Sequence, residues 1–216
     1  MAIIGIVANG PSSSLPELSD FTNVVDYWIG ADRGAFMLAK KAIKMEYAIG
    51  DFDSISDQEK LEIKKYTEHY KEYPIEKDKT DLELAIDKAL EKNPSRIYLF
   101  GVTGGRIDHE LANIQLLYLI RKQEIQAIMV DRFNYMELTF PGTYHIKNND
   151  HYDNISFIPF TLEVKRLTLT GFYYPLTNYD LSWGSTRCIS NKLLSNSGTF
   201  SYDQGILIFI KSRNVI

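Results

Sequence analysis

The spacing of apolar residues changes character once along this chain, close to Arg132, and that change constrains the fold more than any other feature. Before it, short apolar runs alternate with segments in which apolar residues recur every three to four positions. The runs suit buried strands and the periodic segments suit amphipathic helices. Candidate strands are Ile3 to Ala8, Val24 to Gly30, Tyr47 to Ile49, Arg96 to Phe100 and Ile125 to Val130. Between them, Leu82, Ala85, Ile86, Ala89 and Leu90 share one helical face, and Ile107, Leu111, Ile114 and Tyr118 share another. Both faces are expected to pack on a sheet. The alternation predicts an α/β domain, a Rossmann-like parallel sheet with helices on both faces. Ser56 with Glu59, and Thr80 with Glu83, have the spacing of capping boxes and mark two helix starts, and Pro94 helps close the second helix.

From about Phe133 the helical period fades into short runs of Tyr, Thr, Phe, Ile and Val. Ile155 to Phe160, Val164 to Leu169 and Ile206 to Ile210 read as strands. Asn148-Asn149-Asp150, Thr170-Gly171 and Asp203-Gln204-Gly205 read as the turns between such strands. This half is expected to be an all-β sandwich. The predicted division is an α/β domain over residues 1–131 followed by a β-sandwich over residues 132–216.

A hydrophobic fraction of 44% over 216 residues is enough for a buried core. The net charge of -4, without a block of Lys or Arg, argues against nucleic acid or an anionic membrane as partner and favours a small or phosphorylated one. Cys188 is the only cysteine, which excludes an internal disulfide and any multi-cysteine zinc site. A lone thiol fits a reducing compartment, so the cytoplasm is expected. The apolar opening from Met1 to Ala8 has no basic leader and stops at Asn9-Gly10-Pro11, which reads as a first strand and not a signal peptide. No window approaches the roughly 20 apolar residues of a membrane helix, and a soluble protein is expected.

Five aspartates fall where such a sheet presents its functional edge, outside the carboxyl ends of the strands. Asp32 follows the second candidate strand, Asp51 and Asp53 follow the third, and Asp81 and Asp108 each open a helix. An aspartate at a helix start equally serves as a cap or complements the helix dipole, and Asp81 and Asp108 are most open to that reading. The pair Asp51/Asp53 demands more. In an extended segment the two side chains point the same way while Phe52 faces the core, and two like charges side by side call for a cation, here magnesium.

Gly101-Val102-Thr103-Gly104-Gly105-Arg106-Ile107-Asp108-His109 is a glycine-rich junction from strand to helix. Its glycines allow close approach of a phosphate, the helix amides favour the charge, and Arg106 can bind the oxygens bidentately. The Gly-Lys-Ser/Thr ending of a P-loop is absent. Lys77 and Lys79 either contact phosphates or belong to a solvated loop, and Asn9-Gly10 is a further possible source of backbone donors. In the β-rich half, Tyr173, Tyr174 and Trp183 offer faces suited to a flat cationic ring, or fill a core.

Together, Ala31-Asp32-Arg33-Gly34-Ala35, Gly50-Asp51-Phe52-Asp53-Ser54, Asp78-Lys79-Thr80-Asp81, Gly104-Gly105-Arg106-Ile107-Asp108-His109 and Ile189-Ser190-Asn191 resemble the thiamine pyrophosphokinase family in order and spacing. The resemblance implies transfer of the diphosphoryl group of ATP to the hydroxyl of thiamine, with attack on the β-phosphorus and release of AMP. It also implies an N-terminal catalytic domain, a C-terminal sandwich that helps bind thiamine, Mg2+ as cofactor, and a homodimer with active sites between subunits. Catalytic roles then fall to Asp51, Asp53, Asp81 and Asp108, the first three of them also as metal ligands. Nucleotide contacts fall to Asp32, Arg33, Lys79, Thr103, Gly104 and Arg106, and thiamine contacts to Tyr174, Ser190 and Asn191. Two departures from the family pattern are Arg33 and Cys188, where many members carry glycine.

Two other functions fit parts of the pattern. Asp51/Asp53 alone would suit a nucleotide-sugar transferase, and a non-catalytic module could bind a nucleotide or thiamine. A phosphohydrolase that forms an aspartyl-phosphate is disfavoured, because the nucleophile would follow the first strand, where this chain has Asn9-Gly10.

Overall fold

A computed structural model describes residues 2–149 and 151–214. Met1 of the predicted first strand and Asp150 of the predicted turn lie outside the described residues. The chain divides into two compact units, Met1–Arg132 and Phe133–Ile216.

The first unit contains strands β1 (Ile3–Val7), β2 (Tyr27–Ala31), β3 (Met45–Gly50), β4 (Thr67–Glu72), β5 (Arg96–Phe100) and β6 (Gln126–Val130). Helices α1 (Arg33–Lys40), α2 (Asp57–Tyr66), α3 (Asp81–Leu90) and α4 (Ile107–Arg121) connect them. The strands run parallel in the order β4-β3-β2-β1-β5-β6. The chain steps outward from β1 to β4 and then returns to the other side of β1. With right-handed crossovers this puts α1 and α2 on one face and α3 and α4 on the other. Strands covered on both faces bury nearly every residue, as β1, β5 and β6 do.

Local signals explain most boundaries. Ser56 and Glu59 form the full reciprocal capping box of α2. Thr80 caps α3 through the Glu83 amide at 3.2 Å, while the Glu83 carboxylate pairs with Lys79 at 3.6 Å. Two features depart from the sequence expectation. β4, with the sequence Thr-Glu-His-Tyr-Lys-Glu, has no apolar alternation and is held by backbone pairing to β3 at the edge of this sheet. The face of α4 expected to pack on the sheet points outward: Ile107 is 74% exposed, Leu111 56% and Tyr118 40%. Leu117 and Ile120 are its buried residues. α4 is apolar on more than one side, so its period could not say which side faces in.

The second unit is antiparallel throughout. Its strands are β7 (Asn134–Thr139), β8 (Gly142–Lys147), β9 (Asn154–Pro159), β10 (Glu163–Thr170), β11 (Leu176–Ser182), β12 (Ser197–Tyr202) and β13 (Leu207–Ser212). One layer runs β7-β13-β9 and the other β11-β10-β12-β8. Burial alternates along β9 and β12, as in strands with one face in the core. Phe157, Phe200 and Phe209 pack with ring centroids 5.0–5.7 Å apart at its centre.

Candidate active site

The strand order of the first unit reverses at β1, whose neighbours are β2 and β5. Parallel sheets bind ligands in the crevice at such a switch point, outside the carboxyl ends of the strands. Here the loops after β1 and β5 meet backbone to backbone. The Gly10 amide donates to Gly101 O at 2.7 Å, and a Cβ on Gly10 would lie 2.5 Å from that oxygen. Gly34 plays a similar part at the start of α1, where a Cβ would lie 1.9 Å from Val7 O. These contacts admit only glycine and bring the helix start and both loops around one cavity of about 890 Å³. Asn9, Asp32, Lys77 and Asp81 line one part of it, and Gly105, Arg106 and Glu110 another.

Asp32 precedes α1 in an unusual left-handed conformation, φ 50° and ψ -125°, and makes no side-chain cap to the helix. Its carboxylate faces the site instead. Asn9 Nδ2 donates to Asp32 Oδ2 at 2.9 Å, while Asp32 Oδ1 is buried without a hydrogen-bond partner. After β3 the chain turns at Phe52, at φ 53°, whose ring is fully buried and stacks on Tyr70 at 4.7 Å. Asp51 and Asp53 are therefore presented by a tight turn and not by the expected extended segment, and the Asp53 amide donates to Asp51 Oδ1 at 3.3 Å. Ligand oxygens of Asp32, Asp51 and Asp53 all lie within 4.8 Å of one another. Asp32, placed with the nucleotide contacts from sequence, thus joins the acid pair, and Asp81 stands outside this group of three.

Asp81 is tied in through Lys77, whose Nζ donates to Asp51 Oδ2 at 2.9 Å and lies 3.2 Å from Asp81 Oδ1. Burial raises the Asp32 carboxyl above the usual range, and the charges of Asp81, Asp51 and Asp53 add to the effect. Burial raises Asp81 as well, partly offset by Lys77. Burial also pushes Asp51 upward, but the Lys77 ammonium and the Asp53 amide outweigh it and hold Asp51 below its ordinary value. Two like charges 4.8 Å apart repel by about 3 kcal/mol at an effective dielectric of ~20. One lysine does not neutralise four such acids, so the cluster favours an added cation.

Across the cavity, the amides of Gly104 and Gly105 both donate to Glu110 Oε1, at 2.6 and 2.9 Å. The backbone donors expected to meet a phosphate are here satisfied by a carboxylate from α4. Arg106 is paired with Asp108 through Nε and Nη2, at 3.1 and 2.6 Å, and that hydrogen-bonded pairing holds the exposed Asp108 carboxyl below its usual value. Thr103 Oγ1 donates to Asp131 Oδ2 at 2.7 Å, which fixes the loop to the end of β6. Lys79 points along α3 to Asp87 at 2.7 Å. Arg33 Nη1 donates to Ser54 O at 3.0 Å and Nη2 to Glu59 at 3.2 Å, so its guanidinium braces the acid turn against α2. The Gly10 amide, a possible nucleotide donor in sequence, is committed to Gly101 O, and the Asn9 side chain is the group that reaches the site. Sequence reasoning missed Glu110 and the Asn9 side chain, and left Lys77 open. The Asn9 contact with Asp32 and the Lys77 contact with Asp51 span 23 and 26 residues and leave no local spacing signal, whereas Lys77 with Asp81 is an i,i+4 pair and Glu110 lies five and six residues after the amides it accepts from.

In the second unit, Tyr173 and Tyr174 are exposed, with rings 4.9 Å apart edge to face. Asn191 is buried and clasps the Tyr174 backbone: Asn191 Oδ1 accepts from the Tyr174 amide at 3.0 Å, and Nδ2 donates to Tyr174 O at 2.8 Å. Its side chain thus positions Tyr174. Ser190, exposed and at φ 56°, donates its amide to Ser156 Oγ at 3.0 Å. Cys188 is buried, and its carbonyl accepts from the Phe157 amide at 2.9 Å. Burial pushes the Cys188 thiol up.

Residues 18–129 match the family described as thiamin pyrophosphokinase, catalytic domain, and residues 143–207 the one described as thiamin pyrophosphokinase, vitamin B1 binding domain. A thiamine pyrophosphokinase of Bacillus subtilis (strain 168) is 48% identical over 214 residues, 99% of this chain and 100% of the relative. The crystal structure of thiamine pyrophosphokinase from Bacillus subtilis aligns with a TM-score of 0.93 at 46% identity, over 99% of this chain and 100% of that one. That of thiamin pyrophosphokinase from Geobacillus thermodenitrificans aligns with a TM-score of 0.88 at 41% identity, over 98% of each chain. With relatives matched from end to end and the family's domains found on both sides of residue 133, the chain belongs to the thiamin pyrophosphokinase family.

Proposed function

We propose that this chain transfers the diphosphoryl group of ATP to the hydroxyl of thiamine, producing thiamine diphosphate and AMP. Family membership over the whole chain supports the reaction and does not favour a nucleotide-sugar transferase or a non-catalytic module. The structural observation that carries the chemistry is a single cavity lined both by Asp32, Lys77 and Asp81 and by Thr103, Gly105 and Arg106 at the start of α4. The thiamine hydroxyl oxygen bonds to the β-phosphorus and gives up its proton, the bond from that phosphorus to the α,β-bridging oxygen breaks, and AMP departs with that oxygen. Such a transfer needs positioning and neutralisation of charge, not a covalent intermediate on the protein.

Magnesium suits the donors present: all are carboxylate oxygens, and Asp32 Oδ1 is buried and unpartnered. Asp32, Asp51 and Asp53 would hold it, with Asp81 linked to them through Lys77. When bound, the ion neutralises charge on the phosphate oxygens. Thr103 and Arg106 line the cavity and would meet the phosphates together with the amide of Gly104 in the adjoining loop, with Arg106 and the loop amides released from Asp108 and Glu110 by the incoming anion. Arg33 keeps the acid turn in place, Lys79 borders the nucleotide cavity, and Asp108 sets the orientation of Arg106. Tyr174 and Ser190 contact thiamine, and Asn191 fixes Tyr174.

The same reading includes a cytoplasmic homodimer with active sites between subunits. The exposed apolar residues of α4 support an assembly, and a lone buried cysteine suits a reducing compartment. No helix among the described residues is long and apolar enough to cross a membrane.

Incubation with thiamine, ATP and magnesium should yield AMP and thiamine diphosphate in equal amounts, and omission of any component should abolish both. Asp51→Asn and Asp53→Asn should each lower kcat by about 10²–10³-fold with cooperative melting retained. Near-normal AMP formation by both variants would overturn the assignment.

A further inference from the structure

Lys77 differs from the surface lysines of this chain. Its Nζ donates to Asp51 Oδ2 at 2.9 Å and to Pro74 O at 3.1 Å, and lies 3.2 Å from Asp81 Oδ1. An ammonium surrounded by carboxylate and carbonyl oxygens has the donor set that a hard divalent cation prefers. The side chains of Lys77, Asp51 and Asp81 are only 15%, 15% and 20% exposed, whereas an ordinary surface pair such as Lys41 with Glu17 is 52% and 51% exposed. Lys77 also joins two acids that the chain delivers separately, one after β3 and one at the start of α3. Both oxygens of Asp51 are engaged: Oδ1 accepts from the Asp53 amide, and Oδ2 from Lys77.

We propose that Lys77 is the resident counter-ion of the acid cluster, a positioning residue that takes the place of a divalent cation beside Asp51 and gives up that carboxylate when metal and nucleotide enter. The inference rests on the proposed metal role of Asp32, Asp51 and Asp53. Its physical basis is competition. A +1 charge within hydrogen-bond distance of Asp51 opposes a +2 charge on the same carboxylate, so the free protein holds metal weakly. Phosphates restore the balance, because they add negative charge and offer the displaced ammonium a new partner in the same cavity. Without metal, the lysine limits repulsion among the acids and keeps Asp51 and Asp81 in place.

The test is manganese binding to the full chain without nucleotide, followed by the loss of the free-ion paramagnetic resonance signal, for wild type, Lys77→Met, Lys77→Gln, Lys77→Arg and Asp51→Asn. Lys77→Met and Lys77→Gln should bind manganese about tenfold or more tightly than wild type, while Lys77→Arg stays within about threefold of it. The melting temperature of Lys77→Met should fall in the metal-free protein and recover substantially at saturating manganese. A lysine with a merely structural role would lower the melting temperature equally with and without metal and leave the affinity unchanged. Unchanged or weaker manganese binding by both folded Met and Gln variants overturns the role of Lys77, even where Asp51→Asn abolishes binding. Binding that persists undiminished in Asp51→Asn overturns the metal assignment itself, and the inference with it.

Discussion

Two residues of the acid site, Asp32 at φ 50° and Phe52 at φ 53°, and Ser190 of the second unit at φ 56°, hold backbone angles that residues other than glycine rarely adopt. Such conformations cost about 1–3 kcal/mol each and persist where surrounding contacts enforce them. For Phe52 the enforcing contact is visible, since its buried ring stacks on Tyr70 and so fixes the turn that presents Asp51 and Asp53. Tyr70 carries a measurable consequence. Its hydroxyl is buried without a partner, and burial, with a smaller contribution from the Glu72 charge, pushes its pKa from 10.0 to about 12. The folded state therefore favours the protonated phenol. The associated stability is fully present below pH 10 and is lost as pH rises through about 12. Alkaline titration of the phenolate absorbance should show one late-ionising tyrosine that disappears in Tyr70→Phe. An identical titration for that variant would contradict the assignment.

Secondary structure is legible in the sequence wherever the signal lies within one helical turn or one strand. The capping box at Ser56 and Glu59 and the apolar face of α3 are of this kind, because the interacting groups are four or fewer residues apart. β4 gives no such signal: its residues are polar and charged, and only the backbone of β3 makes it a strand. The end of α1 shows what a local signal can omit. The amide of Ala42 donates to Ala39 O at 2.9 Å and that of Ile43 to Leu38 O at 3.0 Å, a Schellman closure with Ala42 at φ 54° where glycine is usual. Left-handed alanine costs about 1–2 kcal/mol, and glycine gives back about 0.5–1 kcal/mol through its freer unfolded chain. Ala42→Gly should therefore stabilise the protein by about 0.5–1 kcal/mol in urea unfolding, with an unchanged denaturant slope. A loss of stability would refute this account of the helix end.

At the scale of the whole molecule, the exposed side of α4 is the feature that a single chain leaves unexplained. Ile107 and Leu111 lie one turn apart on it, with Tyr118 two turns further on, and these residues are more than a third exposed. If they lie in the proposed homodimer, Leu111→Glu should shift the sedimentation coefficient toward that of a 24.8 kDa chain while the circular dichroism spectrum stays unchanged. A variant that sediments like wild type excludes this face as the interface. The sequence by itself determined the succession of an α/β unit and a β-sandwich and the aspartates at strand ends, because apolar period and turn chemistry act between near neighbours. It could not decide which acids meet. Asp32 joins Asp51 and Asp53 because β2 and β3 lie side by side, and Lys77 reaches Asp51 across 26 residues of chain, whereas its pairing with Asp81 and the hold of Glu110 on the glycine-loop amides are local. Glycines 10, 34 and 101 let their loops and helix start touch, and these proximities depend on long-range packing that no local pattern encodes.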